Sequence, residues 1–280
     1  MGEREMKIVV LVKQVPDTTD VRLDEKTGNL IREGLESIIN PDDRHAIEAA
    51  VRLKEGRSGR VTVLSMGPMQ AIDVLSESIG MGADEGILLS DKAFAGADTW
   101  ATSFTLGKAI EKIGLFDLIL CGRQAIDGDT AQIGPQVADY LRIPHVTYVC
   151  DVEEVKKKTI TAKRRLENGY EQVRCALPAL LTVIGELNLP RYPTMDRLIH
   201  ACREKAPIKV WNAADVGVQT RQVGLEGSLT HVIKTFAPKF KREGEILNGD
   251  TKVVVHELIE RLKKSEGATA CKAFSSTCKL

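Results

Sequence analysis

The sequence predicts an α/β protein built on a doubly wound, mostly parallel sheet, with an added antiparallel section and a C-terminal helical extension. Three features of residues 8–141 carry this reading. Apolar runs alternate with helix-periodic stretches four times. The runs are continuous and rich in Val, Ile and Leu, as strands buried on both faces require. The links are short, which makes each helix the crossover of a right-handed βαβ unit.

Ile8-Val-Val-Leu-Val12 is the first strand, and a polar, turn-rich stretch from Asp17 to Gly34 follows it. Asn40-Pro-Asp-Asp43 opens the first helix. Asp42 can cap it, and Ala46, Ile47, Ala49, Ala50 and Leu53 recur at helical spacing up to Gly56. Arg60–Ser65 is the second strand, and Met69–Ile79 a helix ended by Gly80. Glu85–Leu89, Asp98–Ile113, Phe116–Cys121 and Thr130–Leu141 continue the alternation. Beyond Pro144 the rhythm changes. Val146–Val155, Thr159–Leu166 and Glu171–Cys175 alternate as antiparallel strands do, with Asn168-Gly169 as a tight-turn signal. Pro178–Ile184 is another buried apolar strand, and residues 188–205 form a loop and a short helix. Val253–Lys264 is an amphipathic helix carrying Val253, Val254, Leu258 and Leu262. Ser265 to Leu280 are mostly small or polar and are expected to fray.

Composition excludes several classes of function. Lys+Arg and Asp+Glu both number 39, so no global field draws the chain to nucleic acid or acidic lipid. Aromatics at 4% are too few for base-stacking platforms. The six cysteines (Cys121, Cys150, Cys175, Cys202, Cys271, Cys278) form no C-x-x-C pair and have no histidine at zinc spacing, so no metal is expected. Isolated thiols suit a reducing cytosol, and the expected location is cytoplasmic. Met1–Met6 carries two acids and no apolar stretch, unlike a signal peptide. Ile8–Val12 falls far short of the ~20 residues of a membrane span, so no membrane insertion is expected.

In an open α/β sheet, ligands bind beyond the carboxyl ends of the strands, where strand order reverses. The loops there span residues 12–17, 65–70, 90–98 and 121–135. The last reads Cys121-Gly-Arg-Gln-Ala-Ile-Asp-Gly-Asp-Thr-Ala-Gln-Ile-Gly-Pro135. With a helix starting near Thr130, free N–H groups and the positive end of the helix dipole would face an anion. Arg123 adds a bidentate phosphate donor, and Thr130 and Gln132 add neutral donors. Asp127 and Asp129 would repel phosphate, so they are expected to cap the helix or accept ribose hydroxyls. The same residues also fit a plain capped helix after a glycine turn. No G-x-G-x-x-G and no Walker motif is present. His45, in a helical first turn, reads as solvated or capping, and His145 as structural. Neither Ser65 nor Cys121 sits in a nucleophile elbow. The basic clusters Lys156–Lys158 with Lys163–Arg165, and Lys234 with Lys239, Lys241 and Arg242, read as solvated faces. A nucleotide site without acid–base apparatus favours a cofactor carrier over a hydrolase.

Val12-Lys-Gln-Val-Pro-Asp17, Asn40-Pro-Asp-Asp43 with Ala46-Ile-Glu-Ala-Ala50, Met66-Gly-Pro68, Met81-Gly-Ala-Asp84, the Gly122–Pro135 loop and Leu187-Asn-Leu-Pro-Arg-Tyr192 together resemble the beta subunit of electron transfer flavoprotein. The match is collinear from Lys7 to Lys264. The resemblance implies a Rossmann-like adenine-nucleotide- and FAD-binding domain over residues 1–233. It also implies a heterodimer with an alpha subunit that carries most of the site for a second FAD. Residues 234–280 are then an extension whose amphipathic helix packs on that subunit. The residues carried over as cofactor-binding are Leu11, Lys13, Asn40, Pro41, Asp42, Asp43 and Met66. From the loop they are Gly122, Arg123, Gln124, Ala125, Ile126, Asp127, Gly128, Asp129, Thr130, Ala131, Gln132 and Ile133. None is catalytic in its own right.

Two forms of the family differ in what fills this site. The simple form holds structural AMP and relays electrons from acyl-CoA dehydrogenases. The bifurcating form holds FAD, which takes hydride from NADH and sends one electron to ferredoxin or flavodoxin and the other toward an acyl-CoA-dehydrogenase-like partner. The simple form tends to read Gln-Ala-Ile-Asp-Asp-Asp-Cys-Asn. This chain reads Gln124-Ala-Ile-Asp-Gly-Asp-Thr-Ala131 and is similar to the bifurcating form. Gly128 removes a charged side chain and opens conformational room there. Met195 stands near where the simple form places a partner-docking leucine. A nucleotide-binding regulatory module without redox chemistry is the alternative of another class, disfavoured by the match at Asn188-Leu-Pro-Arg-Tyr192.

Overall fold

The computed structural model describes residues 5–17, 37–203, 207–233 and 244–264. The polar run from 18 to 34, the Lys239, Lys241, Arg242 cluster with Lys234, and the Cys271–Cys278 tail lie outside the described residues. The chain divides into two units, residues 1–235 and 236–280.

The first unit is organised by a nine-stranded sheet. Its strands are β1 (Met6–Leu11), β4 (Gly59–Met66), β5 (Glu85–Leu89), β6 (Leu118–Gly122), β7 (His145–Val155), β8 (Thr159–Leu166), β9 (Gly169–Ala176), β10 (Ala179–Val183) and β11 (Ile208–Trp211). Two short strands, β2 (Gln14–Pro16) and β3 (Ser37–Ile39), pair separately and antiparallel. The order in the large sheet is β11-β5-β4-β1-β6-β10-β7-β8-β9. All neighbours from β11 to β7 run parallel, and the β7–β8 and β8–β9 pairs are antiparallel. From β1 the chain first builds outward through β4 and β5, then returns to add β6 on the other side of β1. The order therefore reverses between β1 and β6, where Leu11 pairs with Cys121.

Helices cover both faces, as parallel strands demand. On one face, α1 (Pro41–Glu55) and α2 (Ile72–Met81) pack on Ile8, Val10, Val61, Val63, Leu118 and Leu120. On the other, α3 (Thr99–Ile113) and α4 (Ile133–Tyr140) cover Val9, Leu11, Leu64, Ile87 and Ile119. Alternate residues of each strand thus feed opposite cores. Between α3 and α4 the ring of Tyr140 lies where a side chain at Gly107 would stand 2.2 Å from it. Phe104 meets that ring edge-on at 5.6 Å. Two shorter helices, α5 (Met195–Ala201) and α6 (Gly224–Gly227), complete the unit.

Helix ends follow local chemistry, with some departures from the sequence pattern. Asp98 caps α3 through Ala101 N at 2.9 Å and also accepts from Leu229 N and Thr230 N. Asp42 does not cap α1: Asn40 occupies the cap position, Pro41 the first turn, and no side chain accepts from the exposed N–H groups there. Gly80 does not end α2. It lies within the helix, where a Cβ would meet Leu198 at 2.7 Å and Pro193 at 2.8 Å; Gly82 terminates the helix with φ 130°. The β8–β9 turn falls at Glu167-Asn168, one residue earlier than the Asn-Gly signal suggests, and Gly169 pairs with Leu166. The strand β11, an Ile-Lys-Val-Trp alternation after Pro207, went unread in the sequence because four residues give too short a period.

On the outer side of α1, Glu48 is 2% exposed and holds Arg191 at 2.8 Å through Nε and Arg52 at 2.5 Å. Arg191 also forks onto Glu55 at 2.5 and 2.9 Å. His45 is neither solvated nor a cap. Its Nδ1 lies 3.0 Å from Asn188 O, while Asn188 Nδ2 donates to His45 O at 2.9 Å. These contacts fasten residues 187–192 to α1.

In the second unit, α7 (Thr251–Lys264) carries Val253 and Leu258 at 63% and 47% exposure. Arg261 pairs there with Glu245 at 2.5 Å. No helix among the described residues is long and apolar enough to cross a membrane.

Arg191→Leu leaves Glu48 buried without its main partner and is expected to cost about 3 kcal/mol in denaturant unfolding. Burial acts to raise the Glu48 carboxyl, but the hydrogen bonds from Arg191 and then Arg52 outweigh it and hold it below the ordinary glutamate value of 4.5. That contribution is present above pH 4.5 and is lost as pH falls through the folded value, so the acid limb of the stability curve should be shallower in the variant.

Candidate functional site

The carboxyl ends of β1 and β6 are held at the switch point by one side chain. Asp43, in the first turn of α1, accepts from Lys13 N at 2.8 Å and from Gly122 N at 2.8 Å, one oxygen to each strand end. Burial pushes its carboxyl up to about 7, against the two backbone donors and Asn40, which favour the ionised form. Gly122 is required by this contact: a Cβ there would stand 2.5 Å from Asp43 Oδ1 and 2.7 Å from Asp42 Cβ.

Asn40, 1% exposed, organises the loop after β6. Its Nδ2 donates to Gln124 O at 2.9 Å, its Oδ1 accepts from Ile126 N at 3.1 Å, and its own N–H donates to Lys13 O at 2.9 Å. One asparagine therefore ties α1, the β1 loop and the β6 loop together. Lys13 Nζ reaches across to Asp127 at 2.7 Å. Gln124 Nε2 bonds Asp129 Oδ1, and Asp129 N donates to Ala125 O at 2.8 Å. Asp127 and Asp129 thus hold the loop itself and cap no helix.

The α4 helix begins at Ile133, not near Thr130. Residues 123–132 instead form an irregular loop with two non-glycine residues at positive φ, Asp129 at 51° and Ala131 at 53°. Each costs about 1 kcal/mol. Left-handed residues flank Thr130, and left-handed turns of this kind are the backbone from which anion-binding concavities are built. Among the described residues, the N–H groups of Thr130, Ala131 and Gln132 donate to no protein acceptor. Gln132 is fixed by Thr99 Oγ1, which donates to its Oε1 at 2.9 Å. A Cβ at Gly128 would meet nothing within 4 Å, and its φ is not left-handed, so packing and backbone strain do not require glycine there. The physical consequence of Gly128 is the missing side chain.

Leu11 and Met66, at the ends of β1 and β4, belong to the apolar floor on the α3–α4 side. Gln14 Nε2 donates to Gln70 O at 3.3 Å and joins the loops above them. Ile126 is 49% exposed at the loop's tip. Pro41 and Asp42 stand at the adjacent start of α1, with Asp42 3.8 Å from Arg123 Nε. The Arg123 side chain leaves the loop and lies 5.5 Å from the Tyr148 ring. Tyr148 and Glu186, which line the space around it, were not found from sequence, because β7, β8 and the segment after β10 are distant in the chain from this loop. Arg164, which reads as part of a solvated face, is only partly exposed and lines it too. Cys121 is buried, and burial pushes its thiol far up, which removes it as a nucleophile.

The arrangement offers a preorganised backbone cradle, an apolar floor and a lysine, with no paired acid and base. It can hold and orient an anionic nucleotide.

Comparison with known proteins bears on the chain as a whole. The electron transfer flavoprotein domain matches residues 27–216. Electron transfer flavoprotein subunit beta of Thermoanaerobacterium thermosaccharolyticum is 52% identical over 257 residues, covering 92% of this chain and 98% of that protein. Caffeyl-CoA reductase-Etf complex subunit CarD of Acetobacterium woodii is 49% identical over 261 residues, with the same coverage of 92% and 98%. Acryloyl-CoA reductase electron transfer subunit gamma of Anaerotignum propionicum is 42% identical over 262 residues, again covering 92% and 98%.

Gly122→Ala should lower stability by about 3 kcal/mol through overpacking against Asp43, read as a fall in the thermal midpoint. Asp43 has a folded pKa raised from 3.8 to about 7. Its contribution is therefore fully present below pH 3.8 and lost as pH rises through about 7. Asp43→Asn should flatten the pH dependence of the unfolding midpoint between those values, and an unchanged slope would refute the assignment.

Proposed function

The chain belongs to the electron transfer flavoprotein family, among its beta subunits, and from that premise we propose that it holds FAD at the switch-point cradle and takes part in NADH-dependent electron bifurcation. The observation that carries this is the Gln124–Ala131 loop, in which Gly128 leaves open space where the simple form of the family places a carboxylate. A negative side chain there would oppose a second phosphate. Without it, no carboxylate stands at that position to oppose a diphosphate, which supports FAD over AMP.

The residues fit that role. The N–H groups of Thr130, Ala131 and Gln132 would face the diphosphate, and Lys13 would exchange its contact with Asp127 for a phosphate oxygen. Half-buried Met66 would offer apolar surface to the adenosine above the buried Leu11, and Asn40 with Asp43 fixes the loop. These residues bind and orient, and the cofactor carries the electron chemistry. A bound FAD supplies the hydride acceptor for NADH and the point at which two electrons part, one to ferredoxin or flavodoxin and one through the alpha-subunit FAD to an acyl-CoA-dehydrogenase-like partner. The names of the caffeyl-CoA and acryloyl-CoA reductase relatives support a partner of that class. Arg191 holds the segment before Met195 against α1, so that Leu189, Tyr192 and Met195 stand 83%, 87% and 70% exposed, an apolar surface fitted to such a partner.

The second reading keeps the family and changes the ligand: structural AMP in the same cradle, with electrons relayed from acyl-CoA dehydrogenases. Asp127 and Asp129, which stay near the loop, are compatible with ribose hydroxyls in either case.

Acid extraction of the purified heterodimer separates the two readings. Two FAD per heterodimer, no AMP, and rapid bleaching of flavin absorbance by NADH without any acyl-CoA are expected. One FAD and one AMP, with no reduction by NADH, would assign the simple form. The exposed apolar residues of α7 are proposed to pack on the alpha subunit. The double variant Val253→Ser, Leu258→Ser should therefore co-purify with less alpha subunit while the 1–235 unit retains its fold by circular dichroism.

A further inference from the structure

We propose that Thr99 is a positioning residue of the nucleotide cradle: its hydroxyl fixes which end of the Gln132 amide faces the bound anion, so that this side chain donates there. The inference rests on the reading that the cradle holds an anionic nucleotide, and it is the same for FAD and for AMP. Thr99 lies 33 residues before Gln132, at the start of α3 and just beyond the loop of residues 90–98.

A short relay of hydrogen bonds gives the direction. Gln136 Nε2 donates to Thr99 Oγ1 at 3.4 Å, and Thr99 Oγ1 donates to Gln132 Oε1 at 2.9 Å. With its acceptor side engaged by Gln136, the single hydroxyl hydrogen of Thr99 is turned to Gln132. The Gln132 amide thus has its oxygen taken up at α3, and its two Nε2 hydrogens have no acceptor among the described residues. The backbone N–H of the same residue has none either. Gln132 is left with donors on both its side chain and its backbone, which is what an anion requires. Successive hydrogen bonds that run one way polarise one another, and this strengthens the last donor.

The inner end of the relay holds that direction. Gln136 Oε1 is buried without a hydrogen-bond partner. Turning both amides over would bring Nε2 to the same place and leave two buried N–H hydrogens unmet, a state proteins tolerate less than an unmet carbonyl oxygen. An apolar side chain at position 136 would carry no such cost, so the orphaned oxygen is explained by the relay it orients. Thr99 is itself held on a fixed base. Asp98, which caps α3, donates its N–H to Ser228 Oγ at 2.8 Å and accepts from Thr230 N at 2.9 Å. The two helices are locked together where Tyr140 fills the space beside Gly107. Hydroxyl and amide therefore meet at the ends of rigid helices, where a 2.9 Å contact is kept without the loop's help.

The test titrates ADP, which shares its adenosine and phosphate with FAD and AMP alike, calorimetrically into the purified heterodimer stripped of its cradle nucleotide. Thr99→Val keeps the shape and removes the hydroxyl. It should bind ADP roughly 10-fold more weakly, and Thr99→Ser should return to within about 2-fold of the unaltered protein. Gln132→Met should weaken ADP binding similarly, and Thr99→Val added to it should weaken it no further, because the two residues act as one unit. Unchanged binding in Thr99→Val, no rescue by Thr99→Ser, or additive losses in the double variant would each overturn the proposal and leave the cradle standing. So would a stripped Thr99→Val heterodimer with a lowered thermal midpoint, since the hydroxyl would then serve the fold of α3 alone. Absence of ADP binding in the unaltered protein would overturn the cradle itself, and the proposal with it.

Discussion

A buried carboxylate at the point where strand order reverses sets the geometry on which the rest of this protein depends. In a doubly wound sheet the strands on either side of the switch diverge, because their crossovers leave in opposite directions. Asp43 spans that divergence with one oxygen on Lys13 N and the other on Gly122 N. The contact demands a residue without Cβ at position 122, a helix N-terminus brought directly over the gap, and a carboxyl held inside the protein. Each demand is met by a different part of the sequence, and removing any one leaves the others unsupported.

From this clamp the site is assembled outward. Asn40 extends the hold from the strand ends to the loop, bonding Gln124 O and Ile126 N. The loop is then able to keep Asp129 and Ala131 in left-handed conformations that their side chains disfavour. Backbone N–H groups are the product of that strain. They carry partial positive charge in fixed positions and need no reorganisation when an anion arrives. A site built this way is suited to retention and orientation, and it lacks the proton-transferring groups a hydrolase would need.

The same helix that clamps the site also anchors the protein's outer surface. The opposite side of α1 presents His45, Glu48, Arg52 and Glu55, and these hold residues 187–192 through Asn188 and Arg191. The buried Glu48 makes this attachment costly to break, so the exposed Leu189, Tyr192 and Met195 sit on a rigid base rather than a loose loop. One 15-residue helix therefore joins the cradle at its N-terminal end to an exposed apolar segment along its flank.

The alternation of β-branched runs with helical stretches determined the layered fold, since a strand buried on both faces and a helix buried on one have different periods that no tertiary contact needs to supply. Strands β5 and β10 and helix α3 fall almost where the pattern puts them, and so do the loop and the family membership it signals. What the sequence could not decide is which side chains meet. Asn40 and Asp42 are equally good caps by residue type, and only the proximity of the β6 loop turns Asn40 toward Gln124 while leaving the helix end without a side-chain cap. Thr130 is a reasonable helix start. The loop that precedes the start at Ile133 is held by Asn40 and Lys13, residues 84 to 114 positions away in the chain. Arg123 belongs to the loop by sequence, yet its side chain lies over Tyr148, because β10 inserts between β6 and β7 and brings that ring beneath it. Local periodicity is a property of neighbouring residues and can be read along the chain. Pairings across the switch point depend on strand order, which only the folded sheet establishes.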